Sequence, residues 1–233
     1  MMKVFGDEFS KILCKNESVS TLGGISLKRN YFVFGTFILI VFILSSGCTD
    51  ANDKNATISV SSDSKYVKTF EDLSLGILFD FDFKLPNADE SWVTLWVEQY
   101  KDGKKESEPL TELSYGESPN EDEEGHLGFG ILHPNTDDAS AFLYGPGVNI
   151  HPSHVEAESK TGMSSTWHYA IDDAKEELEL GEEQILAVYR ETESSVISTV
   201  DLQNEEAING MIEGDAMVLL LKIKIEKDPG NEK

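Results

Sequence analysis

Apolar and polar residues alternate with a period of two along most of the chain after residue 75. The segment 76–85, GILFDFDFKL, has an apolar side formed by Ile77, Phe79, Phe81 and Phe83. Its opposite side carries Leu78, Asp80, Asp82 and Lys84. Such alternation predicts a strand with the first side in the core and the second in water. The segment 216–226 repeats the pattern, with Met217, Leu219, Leu221, Ile223 and Ile225 on one face.

Further strands are predicted at regular intervals, separated by turn-forming residues. They cover 91–100, 126–132, 139–145, 165–171, 183–191 and 194–202. Asp102-Gly103 predicts a hairpin that returns through KKESEPLTEL, and HPNTDD between 126–132 and 139–145 predicts a second one. About eight short strands with this spacing predict an all-β antiparallel β-sandwich of immunoglobulin-like or jelly-roll type.

Helix signals are sparse. Residues 172–180, DDAKEELEL, have acidic residues in the first turn and end before Gly181, which predicts a short helix. Residues 204–212, NEEAINGMI, could form one helical turn.

Composition narrows the possible functions. The 233 residues suffice for one well-filled domain, and 43 acidic residues face 19 basic ones, for a net charge of −24. Nucleic acid is excluded as a partner because binding a polyphosphate needs a basic surface. The two cysteines, Cys14 and Cys48, both precede the predicted sandwich, so it can contain no disulfide and no thiol nucleophile.

An export signal is predicted before residue 48. A basic cluster, Lys28-Arg29-Asn30, precedes an apolar run of 14 residues, Tyr31–Leu44. As a helix that run is about 21 Å long, short of the roughly 30 Å hydrocarbon core of a bilayer. A membrane-spanning helix that ends near a free thiol is the competing interpretation.

The stretch Leu44-Ser45-Ser46-Gly47-Cys48 resembles the lipobox of bacterial lipoproteins. In that family the cysteine thiol receives diacylglycerol, and a signal peptidase then cuts before it, which requires small residues at the two preceding positions. Ser46 and Gly47 meet that requirement, whereas Ser45 stands where the family usually has leucine. The resemblance implies a protein anchored through acyl chains such as palmitate to the outer face of the cell membrane of a Gram-positive bacterium. Several chains on one cysteine make such attachment effectively permanent.

Five segments follow from these patterns. They are a possible spurious extension (1–26), a signal peptide (27–47), a flexible tether (48–68), the β-sandwich (69–226) and a disordered tail (227–233). Leu27 is a candidate start codon, because an internal TTG would be read as leucine; the nucleotide sequence tests this.

Three candidate sites lie in the sandwich. Trp92, Trp96 and Tyr100 share one face of the strand 91–100 and could stack on sugars or peptides if that face is exposed. His151, His154 and Glu156 could bind a transition metal, although a loop containing proline does not fix their directions. NEDEEG (120–125) begins like a calcium loop but has Ile131 at the twelfth position.

Signatures of catalysis are absent from the sequence, and no catalytic residue or cofactor is predicted. The expected function is therefore a binding or structural module with an envelope protein or glycan as partner. The alternatives are an extracytoplasmic hydrolase acting on sugars or peptides and a cation-binding module. A pocket with a histidine–carboxylate pair would favour the hydrolase, and an exposed Trp92–Trp96 face would favour binding.

Overall fold

The structure is a computed structural model that describes residues 55–156, 163–194 and 197–228. Its strands are β1 (Ala56–Val60), β2 (Gly76–Pro86), β3 (Ser91–Lys101), β4 (Lys104–Lys105), β5 (Thr111–Gly116), β6 (Asp122–Leu132), β7 (Ser140–Gly145), β8 (Val148–Asn149), β9 (Ser153–His154), β10 (Ser164–Tyr169), β11 (Glu176–Leu178), β12 (Glu183–Thr192) and β13 (Met217–Lys227). Two α-helices, α1 (Lys65–Asp72) and α2 (Glu205–Gly214), and a 3-10 turn (Ala88–Glu90) complete these ranges.

All strand pairs are antiparallel, and they form two sheets. Sheet A has the order β11-β1-β2-β6-β7-β8, with β9 also paired to β7. Sheet B has the order β10-β12-β13-β3-β4, with β5 also paired to β3. Because one core holds buried side chains from both sheets, the predicted antiparallel β-sandwich is confirmed.

The main core contains the faces that alternation predicted. It takes Ile77, Phe79, Phe81 and Phe83 from β2, and Met217, Leu219, Leu221, Ile223 and Ile225 from β13. Phe79 stacks on Phe129 of β6, with ring centroids 5.9 Å apart. Each fully buried side chain of this size contributes about 2–3 kcal/mol through apolar burial, so these rings stabilise the fold without a disulfide.

Both predicted hairpins are present. In the first, Asp102 (φ 46°) and Gly103 (φ 76°) form a two-residue turn between Lys101 and Lys104. Two consecutive positive φ angles match the twist of the flanking strands, which explains the Asp-Gly pair. The second hairpin joins β6 to β7 across residues 133–139.

A second, smaller cluster lies on the outer face of sheet B. Val188, Val218 and Leu220 of the sheet pack there against Met211 and Ile212 of α2. The helical turn predicted at 204–212 is thus a ten-residue helix. The Asn204 side chain begins it by accepting a hydrogen bond from the amide of Ala207 (3.1 Å).

The helix predicted at 172–180 is wrong. Residues Glu176–Leu178 form strand β11, which pairs with β1 at the edge of sheet A. Leu178 is buried against the main core. Pairing at an open sheet edge satisfies the backbone and buries this leucine, which outweighs the local helix preference of DDAKEELEL.

The strand predicted at 194–202 is also wrong for the residues described there, Ser194 and 197–202. Strand β12 already has β10 and β13 on its two sides, so the segment that follows it cannot pair with β12. The segment instead places Val200 and Leu202 on the smaller cluster. The Ser198 carbonyl accepts a hydrogen bond from Arg190 Nη1 at 3.2 Å.

The ordered domain begins earlier than predicted. Residues 56–60 of the supposed tether form β1 in the interior of sheet A, and Ala56 and Ile58 are buried. Helix α1 follows within the same segment. The sequence of β1 does carry a strand signal, because apolar residues alternate there with small polar ones. The polar composition of the surrounding stretch concealed that signal. Residues 48–54 lie outside the described residues.

The predicted tail also begins too early. Lys227 belongs to β13, and the amide of Asp228 donates a hydrogen bond to the carbonyl of Glu90 at 2.8 Å. Residues 229–233 lie outside the described ranges. Across the part of the chain that the structure describes, no helix has the length and apolar character needed to cross a membrane.

Candidate ligand-binding site

A cavity of about 750 Å³ opens on the outer face of sheet A. Helix α1 forms one wall, and strands β6 and β7 form the floor and the opposite wall. Its apolar and aromatic lining includes Tyr66, Phe70, Leu78, Phe142 and Tyr144. This volume lies within the range of pockets that hold small molecules or single side chains.

Two glycines in β6 make room for the aromatic floor. Gly128 and Gly130 lie directly opposite Tyr144 and Phe142 in the β6–β7 pairing. A Cβ at Gly128 would collide with the Tyr144 hydroxyl, and one at Gly130 would collide with the Phe142 ring. The two rings therefore lie across bare backbone, which is a known role of glycine inside a strand.

Asp80 of β2 lies beneath this floor and is fully buried. Its Oδ1 accepts a hydrogen bond from the Tyr144 hydroxyl (2.7 Å), and its Oδ2 accepts one from Ser64 Oγ (2.5 Å). The prediction that this side of β2 faces water is therefore wrong for Leu78 and Asp80, which are buried, whereas Asp82 is exposed. Helix α1 and the aromatic side chains cover the first two positions.

Ser64 couples helix α1 to this carboxylate. Its Oγ accepts hydrogen bonds from the amides of Tyr66 and Val67, each at 3.1 Å, and so caps the helix while donating to Asp80. No residue within α1 is itself buried. The cap therefore determines where Tyr66 and Phe70 stand relative to the floor.

His126 of β6 lies at one end of the cavity. Its Nδ1 is 3.2 Å from Asp80 Oδ2 and 3.5 Å from Asp82 Oδ1. The Tyr66 ring meets the imidazole edge-on, with centroids 5.3 Å apart. Both carboxylates lie near this nitrogen, although its geometry meets the criteria for a hydrogen bond with neither.

Burial raises the pKa of two groups at the cavity. It raises the pKa of the Tyr144 hydroxyl far above its usual range, and the hydrogen bond to Asp80 and that carboxylate's charge raise it further. Burial also raises the pKa of Glu123 on the rim. Tyr144 therefore stays protonated as a donor at physiological pH.

The acidic stretch 120–125 forms this rim. Asn120, Asp122, Glu123 and Glu124 line the cavity mouth. Residues from Asp122 onward belong to β6, and Glu124 forms an ion pair with Lys84 (3.0 Å). From Asp122 onward the segment is thus extended strand rather than a loop wrapped around calcium.

The predicted aromatic row lies on the outer face of sheet B, but its members have different surroundings. Trp92 packs against the backbone at Gly116, and Tyr100 joins the smaller cluster. Trp96 is half-buried, and its Nε1 donates to Glu98 Oε1 at 3.4 Å. Whether these rings stack on a ligand stays a prediction.

Glu98 forms the polar centre of that face. It is 5 % exposed, and its Oε1 lies 2.6 Å from Lys105 Nζ and 3.1 Å from Lys222 Nζ. The Tyr100 hydroxyl donates to its Oε2 at 2.7 Å. Burial by itself would raise the pKa of Glu98, but the bonds from Lys105 and Tyr100 and the charge of Lys222 lower it to about 2.

The predicted metal ligands do not converge. His151 and His154 are exposed in and beside β9, and Glu156 is paired with Lys101 at 3.3 Å. Among the residues that the structure describes, no group of three or more histidine, cysteine, aspartate or glutamate side chains could hold a metal ion. Cys48 and the predicted lipobox residues Leu44, Ser45, Ser46 and Gly47 lie outside the described ranges.

Sequence reasoning singled out the acidic rim of this cavity as a calcium loop, but it missed the aromatic residues, Asp80 and His126. Two signals pointed to it: Asp80 interrupts an apolar run, and Gly128 and Gly130 occupy alternate positions in one strand. Neither signal indicates which residues of β7 or α1 contact these positions, because such contacts join residues far apart in the chain.

Comparison with known proteins identifies the domain. No curated protein and no solved structure matches the chain. The YgaN domain matches residues 64–225, from the cap of α1 to the last core residue of β13, and this range includes every described residue that lines the cavity. Because the match covers more than half of the 233 residues, the chain belongs to the YgaN domain family.

Proposed function

We propose that this protein is a lipid-anchored binding protein of the bacterial cell envelope, with its ligand site in the cavity of sheet A. The single observation that carries the binding role is the open aromatic cavity between α1 and the β6–β7 floor. Exposed aromatic side chains over an open cavity are unfavourable in water unless a ligand covers them, which is why such cavities commonly serve binding.

The anchor rests on the lipobox-like stretch before Cys48. Acyl chains on that cysteine would hold the domain at the outer face of the cell membrane, where its envelope partner would be found. The net charge of −24 fits this place, because anionic headgroups would repel the domain and keep it projected from the membrane surface.

A ligand-observed NMR titration of the purified full chain in an uncharged detergent tests the binding role. A panel of aliphatic and aromatic fragments should bind the native chain, and Phe142→Ala should weaken the best fragment at least about tenfold by removing part of the floor. Trp167→Ala is the matched control, because Trp167 is an exposed ring on β10 outside the cavity. Equal affinity in all three proteins would contradict a site at this cavity.

Replacing Cys48 tests the anchor independently. Cys48→Ala should leave an uncut precursor or release the chain to the medium, whereas the native protein should carry a diacylglycerol mass on a new amino-terminal cysteine. Cys14→Ala is the matched control and should change neither processing nor membrane retention. Normal cleavage and retention of the Cys48→Ala protein would contradict the anchor.

A hydrolase is the second candidate, and one observation favours it. His126 lies in the cavity with its Nδ1 3.2 Å from the buried Asp80, an arrangement suited to a general base. The described lining residues include no serine, threonine or cysteine, so His126 would activate a water molecule against a peptide bond, whereas a glycoside could also be attacked by a carboxylate of the rim. Product release from glycoside or peptide substrates, lost in His126→Ala, would establish it; turnover unaffected by that substitution would exclude this role.

A further inference from the structure

We infer that the free edge of β10 pairs with an extended segment of a basic partner protein, which adds a strand to sheet B. None of the residues of β10 lines the sheet A cavity, so the inference goes beyond the proposed ligand site. Three features of the described residues lead to it. They are an unpaired strand edge, a half-exposed tryptophan on the core-facing side of that strand, and carboxylates at both ends of the edge.

The edge of β10 is open. This strand ends sheet B, and among the residues that the structure describes only β12 pairs with it. The Ala170 amide, just after β10, donates to the Leu186 carbonyl of β12 at 2.8 Å. In an antiparallel ladder every second residue turns its amide and carbonyl towards the neighbouring strand. The backbone groups of Ser165 and Trp167 therefore point away from β12, where the backbone of a further strand can bond to them.

Strand β10 lacks the features that protect the other sheet edges. Its sequence, SSTWHY, contains no lysine, arginine, aspartate, glutamate or proline. Sheet A ends at β11 and β8, which are three and two residues long. On its other side sheet B ends at β4, which is two lysines, and at β5, which carries the exposed Glu112. Short length and charge are the usual devices against edge pairing, so β10 is the described edge that remains available for it.

Trp167 indicates what an added strand would cover. It lies opposite Tyr189 in the β10–β12 pairing, and Tyr189 belongs to the main core, so both side chains are on the core-facing side of sheet B. Trp167 is nevertheless 49 % exposed, whereas Tyr189 is 1 % exposed. The difference arises because no described strand lies beyond β10. An apolar side chain of an added strand would lie beside the indole and cover it, and tryptophan is a frequent anchor of protein interfaces.

Both ends of this edge are acidic, which indicates the charge of the partner. Asn135 Nδ2 donates to Ser165 Oγ at 3.3 Å, which places the loop 133–139 with its exposed Asp138 at one end. The exposed Asp172 and Asp173 follow β10 at the other end. No ion pair of the described residues involves these three carboxylates. They favour a partner segment with lysine or arginine at its ends, and the net charge of −24 disfavours a second copy of this chain.

The test uses the full chain in uncharged detergent and capped peptides of about seven residues. The peptides alternate threonine and valine and carry lysine, threonine or glutamate at both ends. Amide NMR at low ionic strength should show the lysine peptide shifting the Ser165 and Trp167 resonances and binding at least about tenfold more tightly than the glutamate peptide. A lysine peptide with N-methylated backbone amides should not bind, because it cannot donate to the edge. No shift at about 2 mM lysine peptide, or equal binding of the methylated peptide, would overturn the inference.

Three variants locate the binding surface. Trp167→Ala should weaken the lysine peptide about fivefold, while Leu180→Ala, which removes a similarly exposed apolar side chain outside β10, should not. Ser165→Pro removes an edge amide without touching the ladder to β12 and should weaken it about tenfold. If Ser165→Pro does not fold, the methylated peptide tests the same bonds. Unchanged affinity in Trp167→Ala and in a folded Ser165→Pro protein would overturn the inference.

The charge of the partner is tested separately. Replacing Asp172→Asn and Asp173→Asn together should weaken the lysine peptide about threefold and leave the threonine peptide unchanged. Equal binding of the lysine, threonine and glutamate peptides would overturn the basic class of partner.

Two measurements on the free chain distinguish other occupants of the edge. The Trp167 amide should exchange rapidly with solvent and become protected only when the lysine peptide is bound. Protection in the free chain would show that the edge is already covered, and a dimer that Ser165→Pro dissociates would assign the edge to a second copy. Either result would overturn the inference. Fragment binding in the sheet A cavity does not depend on this edge, so these outcomes leave the proposed function intact.

Discussion

The outer faces of the two sheets contain similar residues, but these residues have different roles. Each places a buried carboxylate among aromatic rings, Asp80 on sheet A and Glu98 on sheet B. Glu98 is held by Lys105 and Lys222, so the chain provides its own cations there. Asp80 instead accepts hydrogen bonds from hydroxyl groups, and an open cavity lies above it.

This difference distinguishes the polar centre on sheet B, which has a structural role, from the face of sheet A, which is a candidate binding site. On sheet B, Lys105 and Lys222 pair with the carboxylate, so its burial is compensated within the fold. On sheet A, two glycines let the Phe142 and Tyr144 rings lie across bare backbone beside a short capped helix, and a cavity stays open above them. Four substitutions test whether the two faces differ as described.

Asp80→Ala should have the largest effect. It leaves the Ser64 and Tyr144 hydroxyls without their acceptor in a buried place, so the free energy of unfolding should fall by about 3 kcal/mol. Urea denaturation measures it. Asp82→Ala, at the exposed position two residues along the same strand, is the control and should change stability by less than about 0.5 kcal/mol. Similar small losses for both would contradict the network at Asp80.

Gly128→Ala should destabilise the floor of the cavity. The added methyl group collides with the Phe79 carbonyl and the Tyr144 hydroxyl, which should lower the free energy of unfolding by about 2 kcal/mol. Gly210→Ala in α2 meets no atom within 4 Å and should instead stabilise the protein by about 0.5–1 kcal/mol. Thermal unfolding of both variants checks the opposite signs, and a stable Gly128→Ala protein would contradict the close approach.

Ser64→Ala should lower the free energy of unfolding by about 1.5 kcal/mol, because it removes the helix cap and a donor to Asp80. It should also weaken fragment binding, since Tyr66 and Phe70 depend on the position of α1. Asn204→Ala removes the cap of α2 and should cost about 1 kcal/mol without changing fragment affinity. Equal fragment affinity in both variants would show that α1 does not shape the cavity.

Glu98→Gln should have the smallest effect at neutral pH, about 1 kcal/mol of destabilisation. Its folded pKa of about 2 lies below the ordinary 4.5, so its stabilisation is present above pH 4.5 and lost as the pH falls towards 2. The native protein should therefore lose stability over that window more steeply than Glu98→Gln does. Urea midpoints measured between pH 2 and pH 7 test this, and parallel curves would contradict a paired Glu98.

The periodic segments of the fold were predictable from sequence. The inward faces of β2 and β13 and the Asp102-Gly103 turn follow from local pattern, because each depends on residues within one strand or one turn. Strand β11 and the segment after β12 were predicted wrongly. There the outcome depends on which sheet edges are free, and a local pattern carries no information about that.

The sequence by itself determined the all-β class, the acidic surface and the lipobox-like stretch ending at Cys48. Only the tertiary structure decided which outward-facing residues are buried. Asp80 and Glu98 each occupy the outward side of a strand, where alternation predicts water. Their burial comes from α1, β7 and lysines of other strands, through contacts between residues that are distant in the chain. Those contacts give Glu98 a structural role and place Asp80 beneath an open cavity.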